Sequence, residues 1–183
     1  MRMQHEKNIP PVISIVGTSG VGKTSLLEKL IPELTRRGLK VGTVKHHMHR
    51  FEMDKPGKDT WRHMKAGAAA TMISSPNRIG LIMNVDHDHS PDELRAFLGN
   101  VDIILTEGYK RGQNPKIEIF RPEVNEMPLC KEDAHLFALV SDTTVDLDVP
   151  QFSMRDIEGL ADLVIDHFNL VSAQSKRHLE AAS

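Results

Sequence analysis

A single cysteine, Cys130, in 183 residues leaves no partner for an internal disulfide framework. That scarcity fits a reducing cytoplasm and excludes a disulfide-stapled secreted scaffold. Long apolar runs are missing too: no stretch approaches the ~20 residues of a membrane-spanning helix. Met1 to Pro11 is polar and has no apolar signal core. Charge of one sign is not in excess either. A formal net charge of -2 gives no bulk attraction to nucleic acid or to an anionic membrane. Internal repeats and low-complexity linkers are absent. These lacks predict a soluble, cytoplasmic protein with neither nucleic acid nor membrane as partner.

What remains is ordinary globular material, 39% apolar and 26% charged. The length suits one domain with a real core, and two independent domains would be cramped. The expected organisation is a flexible N-terminus over 1–10, one domain over 11–170 and a poorly ordered tail over 171–183.

One stretch is far from ordinary. Gly17-Thr18-Ser19-Gly20-Val21-Gly22-Lys23-Thr24 follows the apolar run Val12–Val16 and leads into the helical pattern that begins at Ser25. Strand, glycine-rich turn, Lys-Thr and helix together make the full phosphate-loop context. The glycines let the backbone curl so that successive N–H groups converge on phosphate oxygens. The helix aims its positive dipole end at the same anion. Lys23 supplies a point charge for the β- and γ-phosphates, and the Thr24 hydroxyl can hold Mg²⁺. The chain is therefore expected to bind a nucleoside triphosphate.

Periodicity places further elements around that loop. A helix is expected from about Gly22 to Arg37, bent by Pro32 and stopped by Gly38. Strands are expected over Leu39–Val44, Ala68–Ile73, Arg78–Met83, Val101–Thr106, Lys116–Phe120 and Leu136–Val140. Shorter helices are expected over Thr60–Ala66, with Asp59 as a plausible cap, and over Pro91–Leu98, capped by Ser90. Asp156–Leu170 reads as an amphipathic helix. The alternation predicts an α/β, three-layer P-loop NTPase fold, with a mainly parallel sheet flanked by helices. Lys116–Phe120 is a candidate exposed edge for pairing between subunits.

Ligands in such sheets gather at the carboxyl ends of the strands. Past the second strand lies Lys45-His46-His47-Met48-His49-Arg50, then Asp54-Lys55-Pro56-Gly57-Lys58-Asp59. This polar segment is long enough to reach a γ-phosphate as a switch loop does. Its histidines suit phosphate or partner contact better than a dedicated metal site, because H-H-x-H without a thiolate is a poor metal signature. Asp54 or Asp59 could orient the attacking water or complete magnesium's shell; Asp59 could equally be only a helix cap. Past the buried strand Val101–Thr106, Glu107 is placed to contact magnesium. Past Leu136–Val140, the Asp142 carboxylate could accept from guanine's N1–H and N2–H₂, although an N-K-x-D motif is absent and a turn-forming Asp explains it nearly as well.

Together these motifs resemble the MobB family of molybdopterin-guanine dinucleotide biosynthesis adapters. The resemblance rests on Gly17–Thr24, on Val44–Arg50, and on Asp54-Lys55-Pro56-Gly57-Lys58-Asp59-Thr60 followed by Ala66-Gly67-Ala68. Ile104–Lys110, Pro115–Ile117, Val140–Asp142 and Ile157–Asp162 extend it, so that it spans about Ile9 to Phe168. It implies a GTP-binding, feebly hydrolytic homodimer that assists the guanylyltransferase attaching GMP to molybdopterin. It carries over Gly17–Thr24 for phosphate and magnesium, Glu107 for magnesium, and the 45–59 loop for the γ-phosphate side. Taken with the residue reading above, the expected nucleotide set is Gly17, Thr18, Ser19, Gly20, Val21, Gly22, Lys23, Thr24, Ser25, Lys45, His46 and Asp142. Mg²⁺ would fall to Thr24, Asp54 and Glu107, and catalysis to Lys23 and Asp59. Within the loop, Met48 separates His47 from His49, a departure from the adjacent histidine pair the family pattern leads one to expect. Two other functions share the scaffold: a small-molecule or nucleotide kinase, and a GTP-dependent metallochaperone using His46, His47 and His49.

Overall fold

The structure is a computed structural model that describes residues 9–49 and 51–170. The expectations for the first eight residues and for the tail over 171–183 lie outside the described residues. Strand β1 (Val12–Val16) is buried along its whole length. It pairs in parallel with β5 (Ile103–Glu107) on one side and β6 (Lys116–Ile119) on the other. β2 (Val41–Lys45) joins β5, β7 (Leu136–Val140) joins β6, and β8 (Gln151–Phe152) joins β7, again all parallel. The order β2-β5-β1-β6-β7-β8 gives the expected α/β fold with a parallel central sheet flanked by helices.

Parallel strands buried on both faces read as near-continuous apolar runs, which is why they were legible. On one face, Ile13, Ile15, Ile103, Leu105, Ile117, Ile119, Ala138 and Val140 share a core with two helices. Helix α1 (Lys23–Arg36) contributes Leu26, Leu27, Leu30 and Leu34. Helix α4 (Ile157–Phe168) contributes Leu160, Ala161 and Val164, and the Asp156 carboxylate caps it by accepting from the Gly159 N–H. Gly38, at φ 86, ends α1 by taking the left-handed turn that a Cβ disfavours.

The opposite face carries polar residues that burial obliges to find partners. Thr106 donates to Ser14 at 3.0 Å. Glu118 accepts from the N–H groups of Leu129 and Cys130 at 2.6 and 2.8 Å. Lys116, with no exposed surface, donates to the Gly112 carbonyl at 2.5 Å and pairs with Asp133 at 2.9 Å. Cys130 is buried beside Val16 and Leu136. Desolvation, and then the Glu118 carboxylate, push its thiol up to about 12, so it is a packing residue and no nucleophile at neutral pH.

Contacts divide the chain into two units, one comprising the sheet and one comprising residues 47–89. The second unit holds helix α2 (Asp59–Lys65) and an antiparallel hairpin of β3 (Ala70–Ser75) and β4 (Arg78–Met83). Lys58, not Asp59, occupies the cap position of α2, without a side-chain cap bond. Asp59 is the first helical residue, where its charge favours the positive helix end.

Three further differences are physical. Lys116–Phe120 is no edge: β6 lies between β1 and β7, so the outer strands of that sheet are β2 and β8. Helix α3 (Pro91–Leu94) has the Ser90–Glu93 capping box but tightens to a 3-10 turn at Arg95–Phe97. β8 has only two residues, too few to show alternation.

Candidate functional site

The phosphate loop joins β1 to α1 through three glycines with positive φ: Gly17 at 139°, Gly20 at 77° and Gly22 at 114°. At Gly17 a Cβ would sit 2.7 Å from the Ile119 carbonyl oxygen and 2.9 Å from Val21 Cγ1, so only glycine lets the loop lie this close to β6. Helix α1 begins without a side-chain cap, and its first intrahelical bond runs from Leu26 N–H to the Gly22 carbonyl at 2.9 Å. The amides of Lys23, Thr24 and Ser25 ahead of it have no intrahelical acceptor, and the dipole adds positive potential there. Lys23 Nζ donates to the carbonyls of Gly17 and Thr18 at 3.0 and 2.8 Å. Its ammonium thus lies folded across the loop whose amides form the cradle.

On one flank, the end of β5 supplies oxygen. Thr24 Oγ1 donates to Glu107 Oε2 at 3.1 Å, while Lys45 Nζ stands 3.8 Å from Glu107 Oε1. Two hard oxygen donors this close together, next to a phosphate cradle, suit Mg²⁺, which takes one or two protein oxygens beside phosphate and water. The His46 N–H donates to the Glu107 carbonyl at 2.9 Å, and its ring stacks on Tyr109 with centroids 4.2 Å apart. Gly108, at φ 116, makes that approach possible, since a Cβ would meet His46 Cβ at 3.0 Å.

The other flank is formed by the ends of β6 and β7. Asp142 accepts weakly from the Met154 N–H at 3.4 Å and lines a cavity of about 120 Å³ with Phe120, Arg121 and Met154. Sequence reasoning missed two residues here, Arg121 and Asn125. Asn125 donates its side-chain amide to the Thr18 hydroxyl, fastening the turn after β6 to the phosphate loop. Arg121 Nη2 lies 3.6 Å from where a Cβ of Gly22 would be. Arg121 was findable, because it stands two residues beyond the end of β6, next to β1 in the sheet.

The first unit therefore brings together Gly17–Ser25, Lys45, His46 and Glu107, with Asp142 on the far flank. Asp54 and Asp59 belong to the second unit. Asp54 Oδ1 accepts from the Lys55 N–H at 2.9 Å, and its shielded Oδ2 has no hydrogen-bond partner. His47 and His49 meet edge to face at 5.7 Å. Among the described residues, no group of three or more His, Cys, Asp or Glu side chains could hold a metal ion, and no helix is long and apolar enough to cross a membrane.

A parallel sheet whose first strand feeds a glycine-rich turn, Lys-Thr and a helix, with an acidic residue ending the neighbouring strand, defines the P-loop NTPase-like fold class. The family model described as "Molybdopterin guanine dinucleotide synthesis protein B" (MobB) matches residues 12–142, and the chain belongs to that family. It is 38% identical over 165 residues to the molybdopterin-guanine dinucleotide biosynthesis adapter protein of Escherichia coli K12, covering 87% of this chain and 94% of that one. The Haemophilus influenzae adapter protein is 34% identical, over 87% of this chain and 92% of that relative. The crystal structure of Bacillus subtilis MobB superposes with a TM-score of 0.68 at 27% identity, over 85% of this chain and 96% of that one.

Proposed function

We propose that this protein is a GTP-binding adapter in molybdopterin-guanine dinucleotide biosynthesis, acting on the guanylyltransferase step as a cytoplasmic homodimer with slow GTP hydrolysis. The place in the pathway is supported by family membership and by the adapter relatives. The nucleotide assignment rests on one observation: uncapped α1 amides, three left-handed glycines and the Lys23 ammonium converge on one loop. Gly17–Ser25 would hold the phosphates, with Lys45 and His46 toward the γ-phosphate. Thr24 and Glu107 would hold Mg²⁺, which neutralises charge on the β- and γ-oxygens when bound. Asp54 and Asp59 belong to the second unit, and this reading assigns them no part in the nucleotide site.

Lys23 would leave its carbonyl partners for phosphate and stabilise charge developing on the transferred group. An arginine finger is worth ~10³–10⁵ in rate. With none assigned at the γ-phosphate, hydrolysis should be slow and the protein should act mainly as a binding and signalling adapter.

Calorimetric titration of GTP, GDP and ATP, with and without Mg²⁺, tests this reading. Wild type should prefer GTP and require Mg²⁺ for its tightest binding. Lys23→Ala should lose on the order of 100-fold in triphosphate affinity while keeping its circular dichroism spectrum. Normal GTP affinity in that variant would falsify the site.

A further inference from the structure

Among the described residues, only Tyr109 and Asn169 carry a side chain on a left-handed backbone, at φ 56° and 49°. Asn169 caps the end of α4, an ordinary place for asparagine. An aromatic residue is out of place in that conformation, and such strain persists only where the surroundings enforce it. Here they do. The Gly112 N–H donates to the Tyr109 carbonyl at 2.9 Å, and the Gly112 carbonyl accepts from the buried Lys116 ammonium. Asp133 holds that ammonium in turn at 2.9 Å. The turn after β5 is thus pinned to the interior of the sheet.

The result of that strain is a ring laid back over His46, with centroids 4.2 Å apart and planes 24° from parallel. His46 marks the end of the β2–β5 ladder. Lys45 is the last β2 residue in register with Glu107, and the His46 N–H donates to the Glu107 carbonyl at 2.9 Å. The last rung of a ladder frays unless something closes it. The stack closes this one. Gly108 is fixed between them: a Cβ there would meet His46 at 3.0 Å, and its N–H donates to the Ile15 carbonyl of β1 at 3.0 Å. Glu107 is thereby held while its carboxylate reaches Thr24 at 3.1 Å and Lys45 at 3.8 Å.

We propose that Tyr109 is a positioning residue for the Mg²⁺ end of the nucleotide site. Its ring clamps His46 over the end of β5 and so keeps the Glu107 carboxylate directed at Thr24. The assignment rests on the nucleotide reading above and adds to it the side chain that fixes the acid. Tyr109 itself takes neither phosphate nor metal; it acts through His46 and Glu107. Its removal should therefore be felt only when Mg²⁺ is present.

Calorimetry on the full chain gives GTP affinity in Mg²⁺ and in EDTA, and the ratio of the two is the Mg²⁺ enhancement. Tyr109→Ala should cut that enhancement about tenfold, as loss of an outer partner of a metal ligand does. Its affinity in EDTA should change less than about twofold. Tyr109→Phe keeps a stacking ring and should match wild type. Tyr109→Gly loses the ring but relieves the backbone. It should lose the same enhancement with a urea midpoint at or above that of Tyr109→Ala, and it serves where the alanine variant folds poorly. In a His46→Ala background, Tyr109→Ala should cost less than about twofold more, because the ring works through His46. Equal losses in Mg²⁺ and EDTA would overturn the proposal, as would full enhancement in both Tyr109→Ala and Tyr109→Gly. A further loss of about tenfold in the His46→Ala background would overturn it too. Wild type that binds no GTP would sink the nucleotide reading itself. Wild type with a clear Mg²⁺ enhancement, and Tyr109 variants indifferent, sinks only the clamp.

Discussion

The two units of this chain solve the problem of burial in opposite ways. In the sheet-bearing unit every residue of β1 is buried, and α1 and α4 close the same face with seven buried side chains. In the unit spanning residues 47–89, α2 buries none of its residues. Met72, Ile73 and Ile79 of the hairpin are 58%, 64% and 66% exposed. A two-stranded hairpin and a short helix lack the apolar burial needed for independent stability. One unit is a close-packed scaffold around the loop that joins β1 to α1. The other is a surface, and exposed apolar patches of this kind mark association.

Substitution in the scaffold should have the largest effect. Leu34 is fully buried where α1 meets the core, and its carbonyl also receives the Leu39 N–H at 3.1 Å. Leu34→Ala should cost about 3 kcal/mol of unfolding free energy, through lost transfer energy and the cavity left behind. Urea denaturation followed by circular dichroism reads this directly. A loss below about 1 kcal/mol would mean that the α1 face is not the core and that the contrast between units is false.

A smaller effect should come from the clamp between α1 and α4. Glu33 accepts from Arg36 and Arg37 at 2.7 Å, and Arg37 reaches Asp162 and donates to the Glu158 carbonyl at 3.0 Å. Hydrogen bonds from Arg36, then Arg37, hold the Glu33 carboxyl at about 2, against an ordinary 4.5. A carboxylate depressed in the folded state stabilises fully above its unfolded value and loses that contribution as pH falls through the folded one. Wild type should therefore exceed Glu33→Gln in urea midpoint at neutral pH, with the gap closing between pH 4.5 and about 2. A gap that stays constant down to pH 2 would remove the clamp from the account.

How legible each unit was follows from the same contrast. Val12–Val16 and Leu136–Val140 were readable to the residue, because burial on both faces leaves a solid apolar run between polar ends. The phosphate loop was readable because its chemistry demands glycine and lysine at fixed spacing. Lys116–Phe120 was expected as an edge, yet Lys116 sits in the sheet interior, satisfied by Asp133 and by the Gly112 carbonyl. Those partners lie 4 residues before it and 17 after, so nothing local announces them. Arg121 and Asn125 escaped for a related reason. Their meaning comes from the order of strands, which brings the end of β6 beside the end of β1 although about a hundred residues separate them.

The smallest effect on stability, and the most informative about the second unit, should come from Ile79→Ser. Ile79 lies opposite Ser74 in the hairpin and is 66% exposed, so its side chain buries little within the subunit. In dilute protein the substitution should change unfolding free energy by less than about 0.5 kcal/mol, as exposed substitutions do. If the hairpin's apolar surface is what the proposed homodimer covers, the same change should weaken self-association measured by sedimentation equilibrium. Each buried isoleucine lost from such an interface costs ~1.5–3 kcal/mol per subunit, which shifts a dimer dissociation constant by tenfold or more. The two measurements must separate: nearly unchanged unfolding at concentrations where the chain is monomeric, and weakened assembly above them. Unchanged assembly would mean that the hairpin does not form the homodimer contact. A large loss of monomer stability would mean that the hairpin carries structural weight its exposure conceals, and the contrast between scaffold and surface would fail.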